Sequence, residues 1–183
     1  MLVLRLLRVH NMEEPLTQAV LKNEITELKP ESPLSDEQRA EIASALSNTL
    51  ADEYRLYIAT QGLHWNVEGP MFYSLHKLTE EQYRDFAESI DELAERIRAL
   101  GLPAPQTLTE ISERSILKDL PSDGTLKERM ERLITDYERA VRRSTLVVQL
   151  AEANGDIKTA DLLTNRVGQY EENAWMLRAT IAS

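Results

Sequence analysis

The stretch HWNVEGPMFYSLH, residues 64–76, holds two of the chain's three histidines. Neutral imidazole is the commonest protein ligand for metals, and carboxylates join it around borderline divalent ions. Carboxylates follow at Glu80, Asp91 and Glu95. His76 with Glu80 and Asp91 with Glu95 are each spaced i,i+4, which sets both members of a pair on one side of a helix. The chain contains no cysteine, so thiolate metal sites, disulfides and thiol nucleophiles are excluded together.

The element that must carry these groups is a helix over about Phe72 to Leu100. Leu75, Leu78, Gln82, Phe86, Ile90, Leu93, Ile97 and Leu100 recur along it at spacings of three and four, the signature of one buried face. With His76 at zero and about 100° per residue, Glu80 falls at roughly 40°, Asp91 at 60° and Glu95 at 100°. The apolar stripe occupies about 200° to 320°, so the four candidate ligands share an arc nearly opposite the core. Such an arc is ordinarily a solvated face. Here Ala87 and Ala94 lie within it and Tyr83 borders it. The small residues suit close contact with another helix.

The two i,i+4 pairs stand roughly 22 Å apart along the axis. One chain cannot bring both to one ion. An antiparallel copy can, because a twofold axis near residues 85 and 86 sets each pair against the opposite pair of the other chain. His64, at the end of the preceding helix, would add a second nitrogen. The expected centre is therefore His64, His76 and Glu80 from one copy with Asp91 and Glu95 from a second. Two imidazoles with several carboxylates suit Fe(II), or another borderline divalent ion such as Zn, better than Mg or Ca. A di-iron site inside one bundle would instead need Glu-x-x-His motifs. Gln61 and Tyr73 stand three residues before the two histidines, and the motif occurs nowhere.

The rest of the chain is built to position these groups. Its 183 residues are 42% apolar and 28% charged, with six glycines and seven prolines, a globular composition tilted toward helix formers. A capping box at SDEQ (35–38) opens a first helix to about His64, with Ile42, Leu46, Leu50, Tyr54, Tyr57 and Ile58 on its apolar side. After the Phe72–Leu100 helix, residues 101–121 hold three prolines and one short candidate helix, LTEISERS. A third long helix starts near TLKE (125–128) and bears Met130, Leu133, Tyr137, Val141 and Val148. A fourth, from about Asp156, bears Leu163, Val167, Tyr170, Ala174, Leu177 and Ile181. Helices of roughly 27 residues are about 40 Å long. Short, long and short connections predict an all-α, ferritin-like four-helix bundle over 35–183, with one long crossover carrying a short helix. Residues 1–34, with Pro15, Pro30 and Pro33 and no sustained periodicity, are expected to form an extended or flexible arm. The opening MLVLRLLRVHN is broken by Arg5 and Arg8 and is too short to span a bilayer, which takes about 20 apolar residues. The reading is no signal peptide and no membrane segment, with Met12 an equally good start as Met1.

HWNVEGPMFYSLH, then EQY and SIDELAERIRALG, with TADLL (159–163) and ENAWML (172–177) further on, resemble the Dps proteins, the DNA-binding proteins from starved cells. The likeness runs from about Leu46 to Leu177. It implies a homo-oligomeric, dodecameric hollow shell, cytoplasmic, that takes up Fe(II) at ferroxidase centres between twofold-related subunits. Hydrogen peroxide is the preferred oxidant, and the Fe(III) product is stored as a mineral. The family's ligands fall on His64, His76, Glu80, Asp91 and Glu95. One position departs from the pattern, since Asp is commoner where this chain has Glu80. Trp65 and Tyr83 beside the centre would either quench stray oxidising equivalents or pack as interface aromatics, with packing favoured. Asp156 and Asp161, with Glu152 less well supported, match the acidic residues of a threefold pore. Asp156 serves equally as a helix N-cap.

The resemblance also raises DNA, and the charges argue against it. The formal net charge is −10. Residues 1–34 set Arg5, Arg8, Lys22 and Lys29 against Glu13, Glu14, Glu24, Glu27 and Glu31, and beyond Trp175 the only basic residue is Arg178. Without a basic tail, duplex binding at physiological salt is disfavoured. Two further classes stand beside the ferroxidase: an iron store with slow oxidation, and a helical scaffold whose histidines are polar interface groups.

Overall fold

The structure, a computed structural model, describes residues 30–120 and 123–182. The expectations for the arm before residue 30, and for the true start, lie outside the described residues. Four long helices, α1 (Asp36–Asn66), α2 (Phe72–Ala99), α4 (Leu126–Ala153) and α5 (Ile157–Ile181), frame one short helix, α3 (Leu108–Arg114), in the crossover. Each expected boundary holds to within about two residues. Ser35 and Thr125 cap α1 and α4 by full capping boxes with Gln38 and Glu128. A third box, Thr107 with Glu110, starts α3. Among the described residues no helix is long and apolar enough to cross a membrane.

Short turns fold α1 against α2 and α4 against α5, and the crossover returns the chain so that α4 also packs on α1. One buried carboxylate anchors that crossover. Asp52 of α1 accepts hydrogen bonds from Ser115 Oγ (2.6 Å), the Ile116 amide (3.0 Å) and Arg143 of α4 (2.9 Å). Arg143 also donates to the carbonyl of Arg114.

The apolar interior forms two clusters. One gathers Ile42, Leu46, Leu50, Leu93, Ile97 and Leu163, and the other Leu56, Leu63, Phe86, Leu133, Tyr137 and Tyr170. Between them along α1, α2 and α5 sit Glu53, Ser89 and Arg166, all buried. The first helix departs here from its expected stripe. Beyond Leu50 the interior stripe runs through Glu53, Leu56, Thr60 and Leu63, with Ala51, Asp52 and His64 also buried, while Ile58 is 53% exposed and Tyr54 and Tyr57 are only partly covered. A hydrophobic count cannot see Glu53 as an interior residue, so it extends the stripe onto the wrong flank.

Candidate metal centre

Two helix ends and a tight turn create the histidine pair. α1 runs to Asn66 and stops at Val67 in extended geometry. Gly69 then takes φ 86, a left-handed conformation open to glycine at no steric cost. The Phe72 amide closes on the Gly69 carbonyl at 3.0 Å. The chain reverses, and the first turn of α2 lies beside the last turn of α1.

Their imidazoles stack with centroids 3.8 Å apart and planes 19° from parallel. Each ring is tied to the other residue's backbone. His64 Nδ1 donates to the His76 carbonyl at 2.8 Å, and His76 Nδ1 donates to the His64 carbonyl at 3.1 Å. A carbonyl has no proton to give, so each Nδ1 carries the hydrogen, which in the neutral form of the ring puts the lone pair on Nε2. That tautomer and ring fixation is the usual preparation of a histidine metal ligand. Phe72 stacks on the outer face of His76 at 5.0 Å, and Tyr83 meets His64 edge-on at 5.1 Å. Tyr83 in turn meets Tyr57 edge-on. Trp65, next to His64, is 68% exposed.

Glu80 lies one turn beyond His76 on α2. Its Oε2 accepts from Lys77 at 2.9 Å and its Oε1 from Arg84 at 2.6 Å. The Lys77 hydrogen bond, with the Arg84 charge, outweighs partial desolvation and holds the carboxyl below the ordinary glutamate range. Asp91 and Glu95 are exposed on the same helix, two i,i+4 positions further along and remote from the histidines. Among the described residues, no three or more histidine or acidic side chains of one chain converge as a metal site. The single chain thus brings His64 and His76 together, turns Glu80 to its cationic neighbours, and leaves Asp91 and Glu95 apart.

The two aspartates matched to a pore have different surroundings. Asp156 is buried as the N-cap of α5. Its oxygens accept from the Thr159 amide (3.0 Å), Thr159 Oγ (2.6 Å) and Arg96 (2.7 Å). Burial pushes its carboxyl up, but these donors together hold it below the ordinary value. Both oxygens are engaged inside the bundle end. Asp161 is exposed near Lys158, at 3.9 Å, and with Glu152 and Thr164 lines a surface depression of about 520 Å³.

The bundle interior holds a polar group that the sequence reading passed over. Glu53, fully buried, accepts from Arg166 Nε at 2.8 Å and from the hydroxyls of Tyr170 and Ser89. Arg166 also pairs with Asp85 at 2.8 Å, and its guanidinium carbon lies 5.6 and 5.3 Å from the Phe86 and Tyr170 ring centroids. The signal was present, for Glu53 follows Leu50 and Arg166 follows Leu163 by three residues on buried stripes. Carboxylates from α1 and α2 do face the interior, but a guanidinium neutralises them.

Comparison with known proteins places the fold. A family model described as a ferritin-like domain matches residues 43–183. A low-temperature-induced protein of Nostoc sp. is 38% identical over 150 residues, 81% of this chain and 84% of that one. DNA protection during starvation protein 2 of Bacillus anthracis is 34% identical over 139 residues, 76% of this chain and 95% of its own length. Among solved structures, the Dps protein of Vibrio cholerae O1, described as one of the ferritin-like diiron-carboxylate proteins, superposes with a TM-score of 0.77 at 30% identity. It covers 81% of this chain and 94% of that one. DpsC of Streptomyces coelicolor gives 0.80 at 25% identity, over 82% and 89%. The chain, an all-α bundle with one crossover, belongs to the Dps family of ferritin-like proteins.

Proposed function

We propose that this chain is an iron-storage and detoxification protein. It oxidises Fe(II), with hydrogen peroxide as the preferred oxidant, at centres shared between twofold-related copies. The ferric product is kept inside a hollow, cytoplasmic shell, a dodecamer by analogy with the family. The reading is carried by the reciprocal His64–His76 hydrogen bonds. They tie up both Nδ1 atoms and leave the Nε2 atoms of two stacked rings as the ones a metal could take, with Glu80 one helical turn beyond His76.

The chemistry balances with two ferrous ions per peroxide. Each iron gives one electron, the O–O bond breaks, and two protons complete two waters. Both electrons reach one peroxide, so no hydroxyl radical is released. His64 and His76 bind the ferrous substrate, while Glu80, with Asp91 and Glu95 of a second copy, supplies negative charge that favours the ferric product. Zn(II) would occupy the same donors without redox change. Trp65 and Tyr83 stand where they would take up a stray oxidising equivalent, although Tyr83 also has a plain packing role against His64 and Tyr57. For the acidic path to the interior, exposed Asp161 and Glu152 are better placed than Asp156, whose oxygens are already engaged.

Relatives named for DNA protection raise a second activity. With a net charge of −10, protection by removing iron and peroxide is favoured over direct duplex binding.

The test is anaerobic loading with Fe(II), then addition of hydrogen peroxide, recording iron oxidised against peroxide consumed. The expected ratio is near two, with little trapped hydroxyl radical, and the rapid phase disappears in His64→Ala and His76→Ala. Slow oxidation with radical release as in protein-free solution would refute the reading.

A further inference from the structure

We propose that Lys77 and Arg84 clamp the Glu80 carboxylate away from the metal position, so that the two metal positions of each centre fill in order and the second ion must displace the clamp. The inference rests on the ferroxidase reading above and assigns positioning roles to two residues outside the ligand set.

The donors around the centre are unequally prepared. His64 and His76 are locked by each other's carbonyls through Nδ1, with Nε2 left for a metal. Glu80 has neither oxygen free, since Lys77 holds Oε2 and Arg84 holds Oε1. The two cations approach from opposite directions along α2, at i−3 and i+4, spacings at which helical side chains meet. With Glu80 drawn to them, the described residues present no convergent group of three metal donors.

Exposure tells which partner can yield. The Glu80 side chain is 19% exposed, while Lys77 and Arg84 are 53% and 67% exposed. In the single chain the cations are the outer, more exposed partners of the pair, whereas the carboxylate stays low on the helix. An arriving divalent ion is repelled by both cations and competes with them for the carboxylate's lone pairs. A first ion can use the histidines and the carboxylates of the facing copy. A second ion that needs Glu80 meets the clamp. Because exposed ion pairs are individually weak, the clamp sets affinity and order without preventing uptake.

The experiment titrates the metal-free assembly anaerobically with Co(II) and reads its visible absorption, with Zn(II) calorimetry alongside. Wild-type protein is compared with Lys77→Met, Arg84→Met, the double variant, and the charge-keeping Lys77→Arg and Arg84→Lys. Two sequential binding steps are expected in wild type. In the double variant the second step should tighten about three- to tenfold while the first stays unchanged, and the charge-keeping variants should behave as wild type. A single unresolved step, an equal shift of both steps, or no shift in the double variant would overturn the clamp. A His64→Ala control separates the two levels of inference. If wild type binds no Co(II), or if binding ignores His64, the metal-centre reading itself fails. If binding needs His64 but ignores Lys77 and Arg84, the clamp alone fails.

Discussion

Arg166→Met should be among the most damaging single changes in the bundle. In the native core, Arg166 donates to Glu53 and pairs with Asp85, both at 2.8 Å. Methionine fills much of the volume but leaves Glu53 with no counter-charge at zero exposure. Breaking a buried ion pair by removing one partner costs about 3–5 kcal/mol. The Tyr170 and Ser89 hydroxyls still donate to the carboxylate, which favours the lower half of that range. At about 2–4 °C per kcal/mol for a chain of this size, melting should fall by roughly 6–16 °C at fixed protein concentration. The penalty should also depend on pH. Burial raises the Glu53 carboxyl above its ordinary value against the opposing Arg166 charge, so losing the arginine raises it further. An acid whose folded pKa is raised contributes most below its unfolded value and loses that contribution as pH rises through the folded one. The gap between variant and wild type should therefore narrow as pH falls from 8 toward 5, because the stranded carboxyl can take a proton. Adding Glu53→Gln should recover much of the loss, with strong non-additivity in the double-mutant cycle. Urea unfolding of the four proteins across that pH range measures all of this. A pH-independent loss below about 1 kcal/mol would refute an ionised, mutually dependent pair.

Two other contacts give sharper local expectations. Asp52→Ala removes the acceptor that joins Ser115, Ile116 and Arg143; it should cost about 2–4 kcal/mol and raise hydrogen exchange first in α3 and the segment after it. Asp156 has a lowered carboxyl, so its contribution is present above the ordinary aspartate value of 3.8 and is lost as pH falls through the folded value below it. Asp156→Asn keeps the N-cap but loses the Arg96 charge pair, so acid denaturation curves should show this variant losing less stability than wild type below about pH 4.

Local rules made the helices legible. Periodicity and capping residues place α1, α2, α4 and α5 because both signals act within a few residues of chain. Residue type and i,i+4 spacing singled out the two histidines and three carboxylates as candidates; the chain stacks His64 on His76 and leaves Asp91 and Glu95 apart from them. The ion pairs of Glu80 lie within the same helix at i−3 and i+4, so they too were open to sequence reasoning, although only a ligand role was read there. Contacts between distant segments were not accessible. Asp52 and Arg143 are 91 residues apart, and only the assembled bundle brings them together. Glu53 and Arg166 were hidden for another reason: a pattern that counts apolar side chains treats a buried charge as a gap in the stripe. The locked imidazoles needed the Gly69 turn, whose path depends on how α1 and α2 dock.

The neutralised interior explains why metal chemistry would use the outer face of α2. Glu53 and Asp85 already have a cation between them, so a divalent ion in the core would have to evict a guanidinium packed against two aromatic rings. The outer arc has free carboxylates at Asp91 and Glu95, yet one copy holds them roughly 22 Å from its own histidines. Sharing between copies has a numerical consequence. Let one variant carry His64→Ala and His76→Ala, and another Asp91→Ala and Glu95→Ala. Each alone should be inactive in rapid peroxide-driven oxidation. When the two are refolded together in equal amounts, random pairing makes about half of the twofold contacts mixed. A mixed contact has one centre stripped of both histidines, Asp91 and Glu95, with only Glu80 left, and one with every ligand intact, so about a quarter of all centres are whole. Roughly a quarter of wild-type activity should return. If each chain instead completed its own centre, no mixture could repair it, and the blend would stay as inactive as its parts.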